Sequence, residues 1–325
     1  MAMLDITINV GCKINCLYCP QHNFVHEYTK RSNVLEMSFE NFKTCIDKVP
    51  NDVGLSFGGF SEPWLNHDCT KMLLYAHKKG HKCIHVSTTL VGMTLADIGL
   101  LEEIPIEAFK VHLPGNDGYE TIDIDENYMN VLKKIRKSKI KTTYRYHGNG
   151  LHPKIKSLVG NDAFRVITIP RSVCVPDVVD ISSPRKKRGI ITCRYAGDLR
   201  FNELLPNGDV LLCCQDFGMR HILGNLFKQG YESLFKGEEF LKVKEGLKNN
   251  SAEIICRYCL VSCNVNTDFS YFINLLNTDV IILICKARVF LKKHPLLNKK
   301  ITERLLKILG IDKFKIDFGT ETLDS

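Results

Sequence analysis

Residues 4–20 read LDITINVGCKINCLYCP. The β-branched run LDITINV (4–10) stops at Gly11, as a strand bounded by glycine does. It passes into a loop carrying Cys12, Cys16 and Cys19. Three thiolates on one tight loop are soft ligands of the kind iron–sulfur clusters use, and a cubane cluster normally takes four. The next cysteine, Cys45, falls inside a predicted helix. Three local thiolates leave one iron open to an exogenous ligand, which a catalytic cluster needs and a pure electron carrier does not. Zinc, the competing reading, usually takes four closed ligands in two pairs.

Strand-like runs recur at 53–57, 82–87, 106–113, 141–147 and 163–169. Helical patterns lie between them. Ser38, Asp68, Thr94 and Asp125 precede apolar periods and Gly80 follows one, which are helix start and stop signals. The link from 147 to 163 is weakly helical. Six strands with intervening helices imply parallel βα units. These curl into a full or partial α/β barrel or lie as an open doubly wound sheet, and both put ligands at the C-terminal strand ends. Gly11–Pro20, Gly58–Pro63, Ser87–Thr89 and His112–Gly115 are then expected around one mouth.

The chain has 325 residues, 44% hydrophobic, with a net charge of +8 and 14 cysteines. Its length suits a large domain plus a small one, or two ordinary ones. The charge is modest, and no nucleic-acid partner is expected. The N-terminus has no basic segment followed by an apolar one, and no apolar run approaches the ~20 residues that span a bilayer. A large cysteine-rich chain of this kind points to metal binding in a reducing cytoplasm.

After the second strand comes GGFSEPWLN (58–66). The C-x3-C-x-aromatic-C loop, with Tyr18 as the aromatic, resembles the signature of the radical S-adenosylmethionine superfamily. GGFSEP is similar to that family's glycine motif, with Gly59 and Ser61 on its two glycine positions, followed by Glu62; the serine is a departure from the pattern. The resemblance implies a partial (β/α)6 barrel core. It also implies S-adenosylmethionine chelating the open iron, Tyr18 beside the adenine, and the Gly59, Ser61, Glu62 stretch against the methionine amino group. VHLPG (111–115) is a weaker likeness, with no role carried over to His112 or Pro114. His22 and His26 are expected at the surface.

Prolines at 170, 176 and 184 and the run RKKR (185–188) read as a solvated linker. Pro206-Asn207-Gly208-Asp209 between two β-like runs signals a hairpin, and a helix is expected over 231–247. Cys193, Cys213 and the CRYCLVSC run with Cys256, Cys259 and Cys263 resemble the SPASM or shortened twitch extension of the same superfamily. That likeness implies one auxiliary [4Fe–4S] cluster. Cys193, Cys213, Cys256 and Cys259 are the leading ligands, with Cys263 able to replace one and Cys214 an extra candidate. A structural zinc on the same cysteines is the alternative. Cys45, Cys69, Cys83 and Cys174 read as buried or incidental thiols.

The expected organisation is a core at 1–170, a linker at 171–190, a small cluster-binding domain of hairpin and helices at 191–265, and a basic helical extension at 266–325. The expected function is generation of a 5′-deoxyadenosyl radical that abstracts hydrogen from a peptide or small-metabolite substrate, with a flavodoxin- or ferredoxin-type electron donor. The alternatives are a non-catalytic iron–sulfur electron-transfer or sensing protein and a zinc-stapled binding module. The basic C-terminal helices read as a solvated pair or as a weak membrane-surface contact.

Overall fold

The computed structural model describes residues 2–166, 186–196 and 198–265. Cys174 and most of the expected linker lie outside the described residues, as do Cys285 and the basic extension.

Each expected strand forms, with ends that differ by one or a few residues: β1 Met3–Ile6, β2 Gly54–Phe57, β3 Ile84–Thr88, β4 Ala108–Leu113, β5 Thr142–Tyr146 and β6 Ala163–Arg165. All five successive pairings are parallel. The helices are α1 Gln21–Thr29, α2 Phe39–Ile46, α3 Cys69–Lys79, α4 Leu95–Leu101, α5 Glu126–Lys137 and α6 Pro153–Val159. Ser38 caps α2, Thr94 and Asp97 form a reciprocal capping box on α4, and Asp125 caps α5. Each such cap is worth about 1 kcal/mol. Asp68 precedes α3 but its side chain caps nothing; its N–H instead donates to Asn66 Oδ1 at 2.9 Å. Helix α1 escaped sequence reading because it starts at Pro20 without a side-chain cap and buries only Gln21, Phe24 and Tyr28.

The strands explain the layering. Ile84, Val86, Phe109, Val111 and Leu113 are buried with Leu73, Ile98 and Leu132 of the covering helices. Their alternates, His85, Ser87, Lys110 and His112, are half-buried on the other face. Period-2 alternation thus gives the sheet one apolar, helix-covered face and one polar face. The two end strands do not pair with each other, so the expected partial barrel is what forms.

Further on come β7 Ile191–Cys193, β8 Phe201–Leu204, β9 Asp209–Leu211, β10 Ile222–Asn225, α7 Glu238–Lys248 and β11 Ser262–Asn264. The expected hairpin is β8–β9, turning at Gly208 with φ +82. It does not stand apart from the core. β8 pairs in parallel with β1, Asp5 opposite Glu203, and the sheet runs β10-β9-β8-β1-β2-β3-β4-β5-β6. An open barrel leaves the edge of β1 unpaired, and β8 covers it.

Two local expectations need correction. The helix over 231–247 is interrupted: a 3-10 turn at Tyr231–Lys236 ends at an extended Gly237 (φ −69, ψ 156) before α7. RKKR is not wholly solvated. Lys187 N–H donates to Arg257 O (2.8 Å) and its Nζ to Cys259 O (2.6 Å), because that loop offers carbonyls the composition does not reveal. Among the described residues no helix is long and apolar enough to cross a membrane.

Candidate active site and auxiliary cluster site

Beyond β1 the chain continues as Thr7-Ile8-Asn9, whose polar groups fasten the loop after β2. Thr7 Oγ1 accepts from Phe60 N (2.7 Å) and donates to the buried Glu203 Oε1 (2.6 Å). Asn9 Nδ2 donates to Glu62 O (3.2 Å), and Ser61 Oγ donates to Asn9 O (2.8 Å). Gly59 has φ +51, and a Cβ there would lie 2.2 Å from both Thr7 Oγ1 and Glu203 Oε1. Only glycine meets both demands.

The Glu62 carboxylate is buried. It accepts from Thr88 Oγ1 (2.6 Å), Thr89 N (2.6 Å) and Thr89 Oγ1 (2.7 Å), tying the end of β3 to the loop after β2. Burial pushes its pKa up to about 7 against the pull of those bonds. The backbone N–H groups of Glu62 and Ile14 meet the Cys12 thiol.

The cysteine loop is laced to the chain after β4 by Leu17 N to Tyr119 O (3.0 Å) and Thr121 N to Ile14 O (2.8 Å). Tyr18 packs on Tyr119 (centroids 5.9 Å apart) and on His147 just past β5 (4.5 Å), and His147 stacks on His112 (5.3 Å). The ends of five strands therefore converge on Cys12, Cys16 and Cys19, which are all partly buried. Burial raises the Cys12 thiol and pushes Cys16 up to about 12, the Tyr18 side chain partly opposing. Such thiols stay protonated unless a metal displaces the proton. His22 and His26 lie exposed on α1, as expected.

The second cysteine set comes from separate segments. Cys193 ends β7, Cys213 and Cys214 follow β9, Cys256 sits in a 3-10 turn at Ile255–Arg257, and Cys259 follows it. All five line one largely apolar cavity. Cys263, buried on β11, is not in that lining, although it lies close enough to Cys193 to act on its charge. Backbone N–H groups point at the sulfurs: Tyr195 and Ala196 at Cys193, Gln215 at Cys213, and Val261 at Cys259 (3.4 Å). Burial raises the thiols of Cys193, Cys213 and Cys256. An apolar pocket with four or five converging thiols and N–H donors aimed at sulfur fits a cubane cluster.

Comparison with known proteins agrees with this geometry. SPASM, an iron–sulfur cluster-binding domain, matches residues 196–260. The chain is 22% identical over 282 residues to the S-adenosyl-L-methionine-dependent 2-deoxy-scyllo-inosamine dehydrogenase of Niallia circulans, covering 83% of this chain and 96% of that one. Its fold is similar to that of BtrN in complex with AdoMet and 2-DOIA, with a TM-score of 0.52, 16% identity, and coverage of 82% of this chain and 94% of that one. It is also similar to anSMEcpe with bound AdoMet and a peptide, with a TM-score of 0.51, 14% identity, and coverage of 80% and 87%. Over most of its length the chain is thus similar to an S-adenosyl-L-methionine-dependent dehydrogenase, and residues 196–260 match a SPASM iron–sulfur cluster-binding domain.

Around the SPASM-type site, sequence reading missed the groups that hold the ligands in place. Arg257, between two cysteines, is fully buried. It donates to the carbonyls of Lys187 (2.9 Å), Gly189 (2.7 Å) and Gly246 (2.6 Å), and also to that of Asn249. His221 Nδ1 bonds Glu239 Oε1 (2.6 Å), and its Nε2 accepts from Ile255 N (3.1 Å), next to Cys256. Asp216 accepts from the N–H groups of Arg220 (2.9 Å) and His221 (2.8 Å). An arginine inside a C-x2-C run was a readable signal for a buried counter-charge. His221 gave none, since its partners lie 18 and 34 residues away.

Proposed function

We propose that this chain is a radical S-adenosylmethionine enzyme that oxidises a small, hydroxyl-bearing metabolite. In this reading Cys12, Cys16 and Cys19 hold the catalytic cluster. Cys193, Cys213, Cys256 and Cys259 hold one auxiliary cluster, with Cys214 and Cys263 as alternates. Bound together, the cluster and S-adenosylmethionine supply a 5′-deoxyadenosyl radical that takes a hydrogen atom from substrate. The observation that carries the reading is the convergence of five strand ends on three thiols from a single loop.

The chain's own residues do the positioning. Gly59 and Ser61 present backbone toward the cofactor's methionine end. Glu62 acts at one remove, fixing the ends of β2 and β3 and donating its N–H to Cys12. Tyr18, backed by His147, offers a flat apolar face for adenine. The polar face of the sheet carries Asp5 and Glu203 on one side and Lys110, His112 and Arg145 on the other. Arg145 Nε is buried and without a hydrogen-bond partner among the described residues, so it is available to a ligand. Polar groups carried on neighbouring strands suit a compact polar molecule better than an extended peptide. The dehydrogenase relative, matched over 96% of its length, points the same way. Electrons come from a flavodoxin- or ferredoxin-type donor in this proposal. The division into a core at 1–170 and a cluster domain at 191–265 is one of roles, since a single sheet runs through both.

The test is anaerobic. Wild type and a Cys12/Cys16/Cys19→Ala variant are reconstituted, iron is counted, and 5′-deoxyadenosine is measured with dithionite and S-adenosylmethionine. About eight irons falling to about four is expected for two cubane clusters, with nucleoside formed only by wild type. Carbinol-deuterated aminocyclitols and a cysteine-containing peptide are then compared as deuterium donors to the nucleoside. Transfer from the peptide alone would overturn the small-metabolite reading. Bound zinc and no nucleoside would overturn the enzyme.

A further inference from the structure

Cys83, His85 and Glu107 lie at the end of the sheet opposite the cysteine loop, and the sites above use none of them. Cys83 precedes β3 by one residue, His85 is its second residue, and Glu107 immediately precedes β4. Alternation turns 83 and 85 to the same face. The pairing of His85 with Ala108 brings Glu107 alongside. Cys83 Sγ is 3.5 Å from His85 Nε2, which is 4.0 Å from Glu107 Oε2. All three donor atoms lie within 4.8 Å of one another. Cys83, which the sequence offered as a buried or incidental thiol, is buried and is one member of a three-donor cluster.

We propose that Cys83, His85 and Glu107 bind one zinc ion, at a site separate from both iron–sulfur sites. Tetrahedral zinc with Zn–S near ~2.3 Å and Zn–N near ~2.0 Å sets sulfur and nitrogen about 3.6 Å apart. Cys83 and His85 already stand at 3.5 Å. Nitrogen and oxygen on the same ion are about 3.3 Å apart, so Glu107 has to close by roughly 0.7 Å from its 4.0 Å. Its side chain is 59% exposed and free to do so. A thiolate, an imidazole and a carboxylate suit zinc, whereas magnesium and calcium prefer oxygen alone. The two anionic donors neutralise the ion. Lys110, the nearby cation on the same face, opposes binding but carries a single charge. Binding releases the Cys83 proton and leaves a fourth position for water. The ion would join the start of β3 to the start of β4.

The test uses the reconstituted protein, with its iron sites filled so that their cysteines are occupied. It is incubated with one equivalent of zinc sulfate and desalted, then zinc is counted and its X-ray absorption edge recorded. One zinc per chain is expected, with one sulfur at about 2.3 Å and nitrogen or oxygen ligands at about 2.0 Å. Cys83→Ser and His85→Ala, at unchanged iron content, should retain at least tenfold less zinc. Glu107→Gln, on an exposed side chain that threatens folding least, should weaken retention and leave the sulfur in place. Zinc should raise the melting temperature of wild type and not of Cys83→Ser. No retained zinc, equal retention by the variants, or a shell of three or four sulfurs (the mark of the cluster cysteines) would each overturn the proposal.

Discussion

The two cysteine sets solve the same chemical problem under opposite constraints. Cys12, Cys16 and Cys19 lie on one loop, and closing a short loop costs little entropy. That loop is held from behind by a finished parallel sheet, through Thr7, Asn9, Glu62 and Thr121. Cys193, Cys213, Cys256 and Cys259 are gathered from three places in the chain. Two of the strands at that site, β7 and β11, pair only with each other and have three residues each. The four thiols there are brought together by a few long-range hydrogen bonds, those of Arg257 and His221 among them, so in such a site metal binding is also folding energy. In the proposed reading, the first site is a geometry formed before its cluster arrives and the second is one that a cluster would complete.

Iron removal should give the largest difference. Stripping iron anaerobically with a chelator should cost β7, β11 and the turn at Ile255–Arg257 their amide-exchange protection, while β1–β4 keep theirs. Equal loss in both regions would break the comparison.

Arg257→Met comes next. It leaves several buried carbonyls without a donor at about 1–3 kcal/mol each, so a loss of at least about 3 kcal/mol is expected in urea unfolding. In the folded fraction, removing a buried positive charge from between two cluster cysteines disfavours the reduced state. The auxiliary cluster's potential should fall, with the catalytic cluster unmoved. An unchanged potential would reduce Arg257 to a structural clamp.

Gly59→Ala probes the other side. The new Cβ meets Thr7 Oγ1 and Glu203 Oε1 at a left-handed φ, costing about 2 kcal/mol or more. 5′-Deoxyadenosine formation should drop while the auxiliary cluster keeps its iron. Iron loss from both sites would show that the two regions are not independent.

What the sequence disclosed follows the same division. The strands, most helix caps and the first cysteine loop rest on local patterns: alternation, a capping residue, a spacing within eight positions. The SPASM-type cysteines were legible only as spacings. That β8 would add to β1, that Cys214 faces the cavity while Cys263 does not, and that Lys187 docks on Cys259 all depend on contacts across many tens of residues. Ser61 illustrates the limit within the local region. Its replacement of a glycine was readable, but its purpose, a hydrogen bond back to Asn9 O, required the fold.

The smallest effect lies in the sheet half, far from either cysteine set. His81, 1% exposed, bonds Val53 O at 3.1 Å through Nδ1, and its Nε2 has no partner among the described residues. Because Val53 O can only accept, Nδ1 carries a proton. Burial holds its pKa below the ordinary 6.5, and the bond to Val53 opposes this only in part. A depressed folded pKa means the unfolded chain takes up the proton first. The stability is therefore complete above about pH 6.5 and declines as pH falls through the folded value. His81→Gln should flatten that decline for unfolding of the parallel sheet. Acid release of iron from the auxiliary site, governed by protonation of thiolates, should keep the wild-type profile. If both profiles flattened together, the sheet and the auxiliary site would be one cooperative unit, and the contrast between a preformed and a metal-completed site would fail.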